Sequence, residues 1–224
     1  MSYWLGNSDQ YGENVFVTDE YSVENYVANP QGFRAWLVHF EGFARARKQE
    51  IDSMVTEYAS CEAIFRKVMM PIMAQAVVAK RYNSSISLND FKITSKKNLL
   101  LGVEEGHITF EIRMEKRILE KWKLTSQNHE EITTQINLFE SERKHYSVRG
   151  KWILCFMAEI GEYMRLNPKT FAPSLSGTGK VSPTCSVPTA QCLSALAPYC
   201  AKQVPRRLEE FLNNTYQIYF TEVS

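Results

Sequence analysis

The stretch NVFVTDEYSVENYV, residues Asn14–Val27, decides how this chain is read. Val15, Phe16 and Val17 predict a buried strand, with Thr18 and Asp19 as its polar end. Tyr21–Tyr26 then sets two aromatics and a valine around one acid, Glu24. An acid just past the carboxyl end of a strand lies where open α/β sheets place ligands. A second run, YSVRGKW at Tyr146–Trp152, supplies a cation, Lys151, as a partner for that acid.

Outward from these runs the pattern is mostly helical. Asn29 caps and Pro30 opens a helix. In it Phe33, Trp36, Leu37 and Phe40 recur at i, i+3, i+4 and i+7, and Gly42 marks its end. From Arg45 to Tyr82 a second apolar stripe runs through Ile51, Met54, Val55, Tyr58, Cys61, Phe65, Val68, Met69 and Ile72. Pro71 is expected to kink or split that helix. Met69, Met70 and Met73 read as core filler, with a groove for a partner helix as the other reading. Asp90–Thr94 and Gly106–Ile112 alternate weakly, with Ile108, Phe110 and Ile112 on one face, which reads as a short strand or as the lead-in to the next helix. Helices are expected over Arg113–Leu124, His129–Tyr146 and Trp152–Met164, and after Pro205.

The predicted organisation has four parts: residues 1–42, a partial α/β segment; 43–167, a helical region with a short strand pair; 168–190, a flexible linker rich in Pro, Ser, Thr and Gly; and 191–224, a C-terminal helix. The fold class is α/β, mostly helical.

Composition bounds the function. The chain has 224 residues, 44% hydrophobic, enough for a true core and against global disorder. With 26 basic and 25 acidic residues, nucleic-acid binding would need a local patch rather than bulk charge. No apolar run approaches the roughly 18 residues of a membrane span, and no signal peptide opens the chain, so no membrane partner is expected. Five cysteines without a secretion signal predict reduced thiols and a cytoplasmic protein.

The runs TDEYSVENYV and VRGKW resemble a Toprim-like bacterial family of unknown function that includes the effector nuclease subunit of the PARIS anti-phage system. The resemblance covers Asn14–Pro30 and Tyr146–Phe156. It implies the rear part of a Toprim-like α/β unit with a helical extension. The family's early glutamate motif and Asp-x-Asp strand do not precede Asn14, so the chain is expected to be the C-terminal portion of a metal-dependent nuclease. The resemblance also implies Mg²⁺, once the missing acids are supplied, a DNA or RNA substrate, and an ATPase partner protein. The alternative is a non-catalytic interaction protein or decayed relative that lacks the metal-binding acids.

Glu24 matches the family's glutamate and is the candidate catalytic acid and metal ligand; its other reading is a hydrogen bond to a helix start or a neighbouring strand. Lys151 matches the lysine of the Arg-Gly-Lys run and is the candidate catalytic cation, able to hold a phosphate or offset developing charge; otherwise it is a surface lysine. Arg149 is a phosphate-binding candidate through its planar fork, or else pairs with a carboxylate. Asp19 and Glu20 read as solvated or capping. His39, His107, His129 and His145 lack a metal spacing. Cys185, Cys192 and Cys200 are too far apart for the usual zinc pairs. Gly177–Lys180 lacks the first glycine and the Ser/Thr of a phosphate loop. Lys80-Arg81 and Lys96-Lys97 could track a nucleic-acid backbone.

Overall fold

A computed structural model describes residues 23–83, 85–91, 93, 98–114, 116–122, 124, 128–141, 148–178, 181–185, 191, 195, 196, 198 and 199. The strand expected at Asn14–Thr18 and the helix expected after Pro205 lie outside them. The described part is mostly helical with one two-stranded antiparallel sheet. Its elements are α1 (Val23–Val27), α2 (Pro30–His39), α3 (Lys48–Tyr82), β1 (Leu99–Glu104), β2 (His107–Ile112), α4 (Lys116–Trp122), α5 (His129–Ser141), α6 (Gly150–Leu166) and α7 (Pro168–Phe171).

Helix α2 begins as its sequence predicts. The Asn29 side chain accepts from the backbone N–H groups of Gln31 and Gly32, both at 2.9 Å, and Pro30 occupies the first turn, where no donor is missed. Phe33, Trp36 and Leu37 are buried, and Phe33 stacks on Tyr58 of α3 at 4.2 Å.

Helix α3 is the axis of the core. At 35 residues it is about 52 Å long. It runs unbroken through Pro71, although a split was an alternative from the sequence. Pro71 is exposed and so is Lys67, whose carbonyl the proline leaves without a helical donor, so water can satisfy it. Ile51, Met54, Tyr58, Cys61, Phe65, Met69 and Met73 form the buried stripe, and Ala74 and Ala76–Ala79 are buried as neighbours close round the helix. Val68, expected inside, is 41% exposed. Met69 and Met73 are core residues, while Met70 is half-buried.

The sheet is a hairpin. Glu105 and Gly106 have φ of 53° and 87°, the two positive values of a type I′ turn. Leu99–Glu104 pairs with His107–Ile112 in the register Leu99↔Ile112 to Glu104↔His107. The expected β2 face is present: Phe110 meets Phe65 and Phe156 at ring separations of 6.2 and 5.0 Å, and those two stack at 4.1 Å. The alternation in Asp90–Thr94 has another origin. Phe91 and Ile93 are buried from a loop that follows the 3-10 turn Leu88–Asp90, and Phe91 packs edge-on to Trp152 at 5.5 Å.

The stretch after Asn167, read as a flexible linker, contains α7 and the 3-10 turn Pro173–Thr178, and buries Phe171, Ala172 and Val181. Ser174 donates to Glu50 from its backbone at 2.8 Å and from its hydroxyl, tying this stretch to the start of α3. Residues 181–185 form a strap over the end of α2, with Thr184 N–H donating to Phe40 O at 2.8 Å. The strap needs Gly42. That residue has φ +84°, and a Cβ there would stand 2.1 Å from Ser182 O, inside any contact distance. Gly42→Ala is expected to destabilise the chain by about 1–3 kcal/mol, from left-handed strain and displacement of the strap. Urea unfolding checks it; a loss within error of zero would mean that the strap yields freely.

Candidate functional site

The described ends of the two runs, Val23–Val27 and Val148–Trp152, pack against each other. Helix α1 carries the first and lies along α6, which begins in the second. Asn25 Nδ2 donates to Val148 O at 3.4 Å, pinning α1 beside the entry to α6. Trp152 Nε1 donates to Phe91 O at 3.1 Å and fixes the same end of α6 from another side.

Glu24 is the second residue of α1 and is 8% exposed. A buried carboxylate normally acquires donors, because desolvation penalises an unpaired charge. Among the described residues, the Glu24 carboxylate has neither a hydrogen bond nor an ion pair, and its oxygens are not among the fully buried unpartnered atoms, so they keep contact with solvent. Lys151 is the second residue of α6 and is exposed. Arg149 is the N-cap of α6, and its Nη2 donates to Asn89 Oδ1 at 2.7 Å, so its fork meets an amide rather than a carboxylate.

Cys155 feels the charges on both runs. It is half-buried on α6, one turn beyond Lys151 and one turn before Glu159. Burial pushes its thiol up to about 11; Glu159 adds to the rise, Arg149 and Lys151 oppose it, and Glu24 adds again. Glu24, Lys151 and Arg149 therefore all lie within electrostatic reach of one sulfur. The spacing Lys151–Cys155–Glu159 is a helical i, i+4, i+8 stripe that the sequence reading did not single out. Arg149 makes no side-chain cap bond at the start of α6, where Trp152 N–H donates to Arg149 O at 2.9 Å. The positive end of the helix dipole lies there, and with one acid and two cations it can hold an anion beside a carboxylate.

Mg²⁺ takes hard oxygen ligands. Glu24 offers one carboxylate, and among the described residues no three His, Cys, Asp or Glu side chains group as a metal cage. The described residues do not by themselves fit Mg²⁺.

The remaining candidates lie elsewhere. His39 stacks on Tyr199 at 4.2 Å, and His107 Nδ1 lies 3.0 Å from Glu57 Oε2. His129 opens α5. Cys185 is an exposed free thiol. Lys80 Nζ donates to Ile86 O at 2.8 Å, and Arg81 Nη2 donates to Gln135 Oε1 at 2.7 Å. Asp19, Glu20, Lys96, Lys97, His145, Lys180, Cys192 and Cys200 lie outside the described residues.

Cys155 supplies a chemical reporter of the cluster. At a fixed pH near 8.5, close to the ordinary thiol value, its alkylation by iodoacetamide is expected to be slow. Glu24→Gln, by removing a negative neighbour, should speed it, and Lys151→Ala should slow it further. Mass-spectrometric peptide mapping reads Cys155 apart from exposed Cys185. Equal Cys155 rates in all three proteins would place Glu24 and Lys151 out of reach of that sulfur.

No family model, curated protein or solved structure matches this chain. Among the described residues, no helix is long and apolar enough to cross a membrane.

Proposed function

We propose that this chain is the rear part of a Toprim-like, metal-dependent nuclease acting in bacterial anti-phage defence, with Glu24 and Lys151 on one phosphodiester-cleaving centre. The observation that carries the reading is the placement of Glu24, 8% exposed and without a hydrogen-bond partner among the described residues, beside the entry to α6 and its two cations. Its carboxylate is therefore not committed to the fold, and its oxygens can accept a ligand that neutralises it. In this reading Mg²⁺ is that ligand, with its other acids supplied from outside the described residues. The resemblance of TDEYSVENYV and VRGKW to the family supplies the chemistry.

The residues of this chain then have distinct tasks. Lys151 is exposed and holds a non-bridging phosphate oxygen, offsetting the charge that builds during cleavage. Arg149 turns from Asn89 toward the next phosphate, where its fork can bind two oxygens. The α6 N–H groups favour the same anion. Bulk charge near zero makes this a local grip, with DNA or RNA as the substrate and an ATPase as the protein partner that licenses cutting.

The test is cleavage of end-labelled DNA and RNA by protein purified from its native cells, with Mg²⁺ and with a chelator. Chelator-sensitive cutting supports the reading. Absence of cutting on both substrates contradicts it and leaves the interaction-protein reading in its place.

A further inference from the structure

Arg149 is a cation held on a neutral partner. Its Nη2 donates to Asn89 Oδ1 at 2.7 Å, and among the described residues its side chain has no other partner. A guanidinium carries five N–H donors in a planar fork. One bond to an amide therefore leaves most of its donors, and all of its charge, unmet. Lys151, two residues on, is exposed, and among the described residues its ammonium has no partner.

Asn89 is held in place by more than this bond. It lies in the 3-10 turn Leu88–Asp90, and its N–H donates to Ser87 Oγ at 3.2 Å. Leu88 and Phe91 on either side are buried, and the Phe91 carbonyl accepts from Trp152 Nε1 at 3.1 Å. The turn is thus anchored to the first turn of α6 without Arg149. It sets a fixed amide oxygen where the guanidinium leaves the helix. The contact itself is exposed, so the core does not depend on it. A bond to a neutral acceptor is also weaker than one to an ionised phosphate, which can take two N–H groups of the fork. The partner is therefore one that a phosphate can displace.

We propose that Asn89 is a latch on Arg149: in the resting chain it holds the guanidinium off the phosphate site, and a nucleic-acid backbone must displace it to be gripped. The proposal rests on the reading of Glu24 and Lys151 as a phosphodiester site, and it adds the order of engagement. Lys151 meets a first phosphate as the chain stands. Arg149 meets the next one only after leaving Asn89. Apparent affinity is then reduced by the fraction of time that Arg149 is free, so a latch closed about nine-tenths of the time weakens binding about tenfold.

Fluorescence anisotropy of labelled DNA and RNA strands on the full chain tests this, in chelator so that no metal-dependent cleavage intervenes. Asn89→Ala removes the acceptor and is expected to tighten binding by about threefold to tenfold. The complex then makes the same phosphate contacts, so its salt dependence should stay that of the wild type. Asn89→Asp turns the latch into an ion pair and should weaken binding at least about threefold. Arg149→Ala should weaken binding and flatten the slope of log K against log salt by about 0.7–0.9, one phosphate contact. In an Arg149→Ala background, Asn89→Ala should change nothing, because the latch has nothing to hold. Circular dichroism checks that each variant is folded. Unchanged or weaker binding in Asn89→Ala overturns the latch, and so does a tightening that persists without Arg149. If even the wild type binds neither strand, the latch and the phosphodiester reading fall together. If the latch pattern appears but Mg²⁺ brings no cleavage, the nuclease reading falls alone.

Discussion

Arg165→Ala is expected to destabilise the folded chain by about 3–5 kcal/mol at neutral pH, the cost of leaving one member of a buried ion pair alone. Glu41 is 7% exposed and lies where α2, α6 and the strap meet. Its Oε2 accepts from Arg165 Nε at 2.7 Å, and its Oε1 accepts from Trp36 Nε1 at 3.1 Å. Arg165 also donates to Val181 O at 3.4 Å, so the substitution loosens the strap as well. Gly161 makes the junction possible: a Cβ there would come within 2.8 Å of Trp36 Cδ1.

The loss should depend on pH, with a definite sign. Burial raises the Glu41 pKa, and the Arg165 bond and charge oppose that rise without cancelling it. A folded-state pKa above the unfolded one means that the folded state holds the proton more tightly. Glu41's contribution is therefore fully present below the unfolded value and is lost as pH rises through the folded value. Without Arg165 the folded value rises further, so the defect should shrink as pH falls from about 7 toward about 4.5, where the carboxyl protonates. Adding Glu41→Gln should recover much of the loss at neutral pH. Urea unfolding of the single and double variants at both pH values checks this. An equal loss at both would mean that Arg165 contributes packing alone.

Glu24→Gln is expected to reduce Mg²⁺-dependent cleavage by about a thousandfold or more, and Lys151→Ala by about a hundredfold to a thousandfold. The amide keeps the shape of the acid and removes its charge, so folding should change little. Its carboxylate has no partner to lose among the described residues, which predicts a neutral or slightly stabilising effect on the fold. Activity and stability should thus move in opposite directions at Glu24, which a merely structural acid would not do. Lys151 is exposed, so its substitution should leave stability within about 0.5 kcal/mol. Single-turnover cleavage rates together with urea midpoints separate the two effects.

Much of the fold was legible in the sequence. Asn29, Pro30 and the Phe33–Trp36–Leu37 spacing located α2, because caps and periodicity are local signals. The Ile51–Phe65 stripe located α3, and Ile108–Phe110–Ile112 located β2. Strand β1 was missed because LLLGVE does not alternate; its character comes from its partner across the turn. The packing of residues 168–185 was missed because its determinants are remote. Ser174 meets Glu50, Thr184 meets Phe40, and polar composition cannot report either contact.

Glu24, Arg149 and Lys151 were chosen from the sequence, and each of the three contributes to the charge felt by Cys155. Cys155 and Glu159 were overlooked, although their spacing from Lys151 was available. The burial of Glu24 was not available, since it depends on α6 lying against a helix of five residues more than a hundred positions earlier.

The most direct test of the central claim is a double-mutant cycle on cleavage, combining Glu24→Gln with Lys151→Ala in protein purified from its native cells. Groups that serve one reacting phosphate act as a unit, so their losses do not multiply. The double variant is predicted to cleave about as slowly as Glu24→Gln alone. Losses that multiply, or a wild-type rate in either single variant, would contradict a shared centre at Glu24 and Lys151.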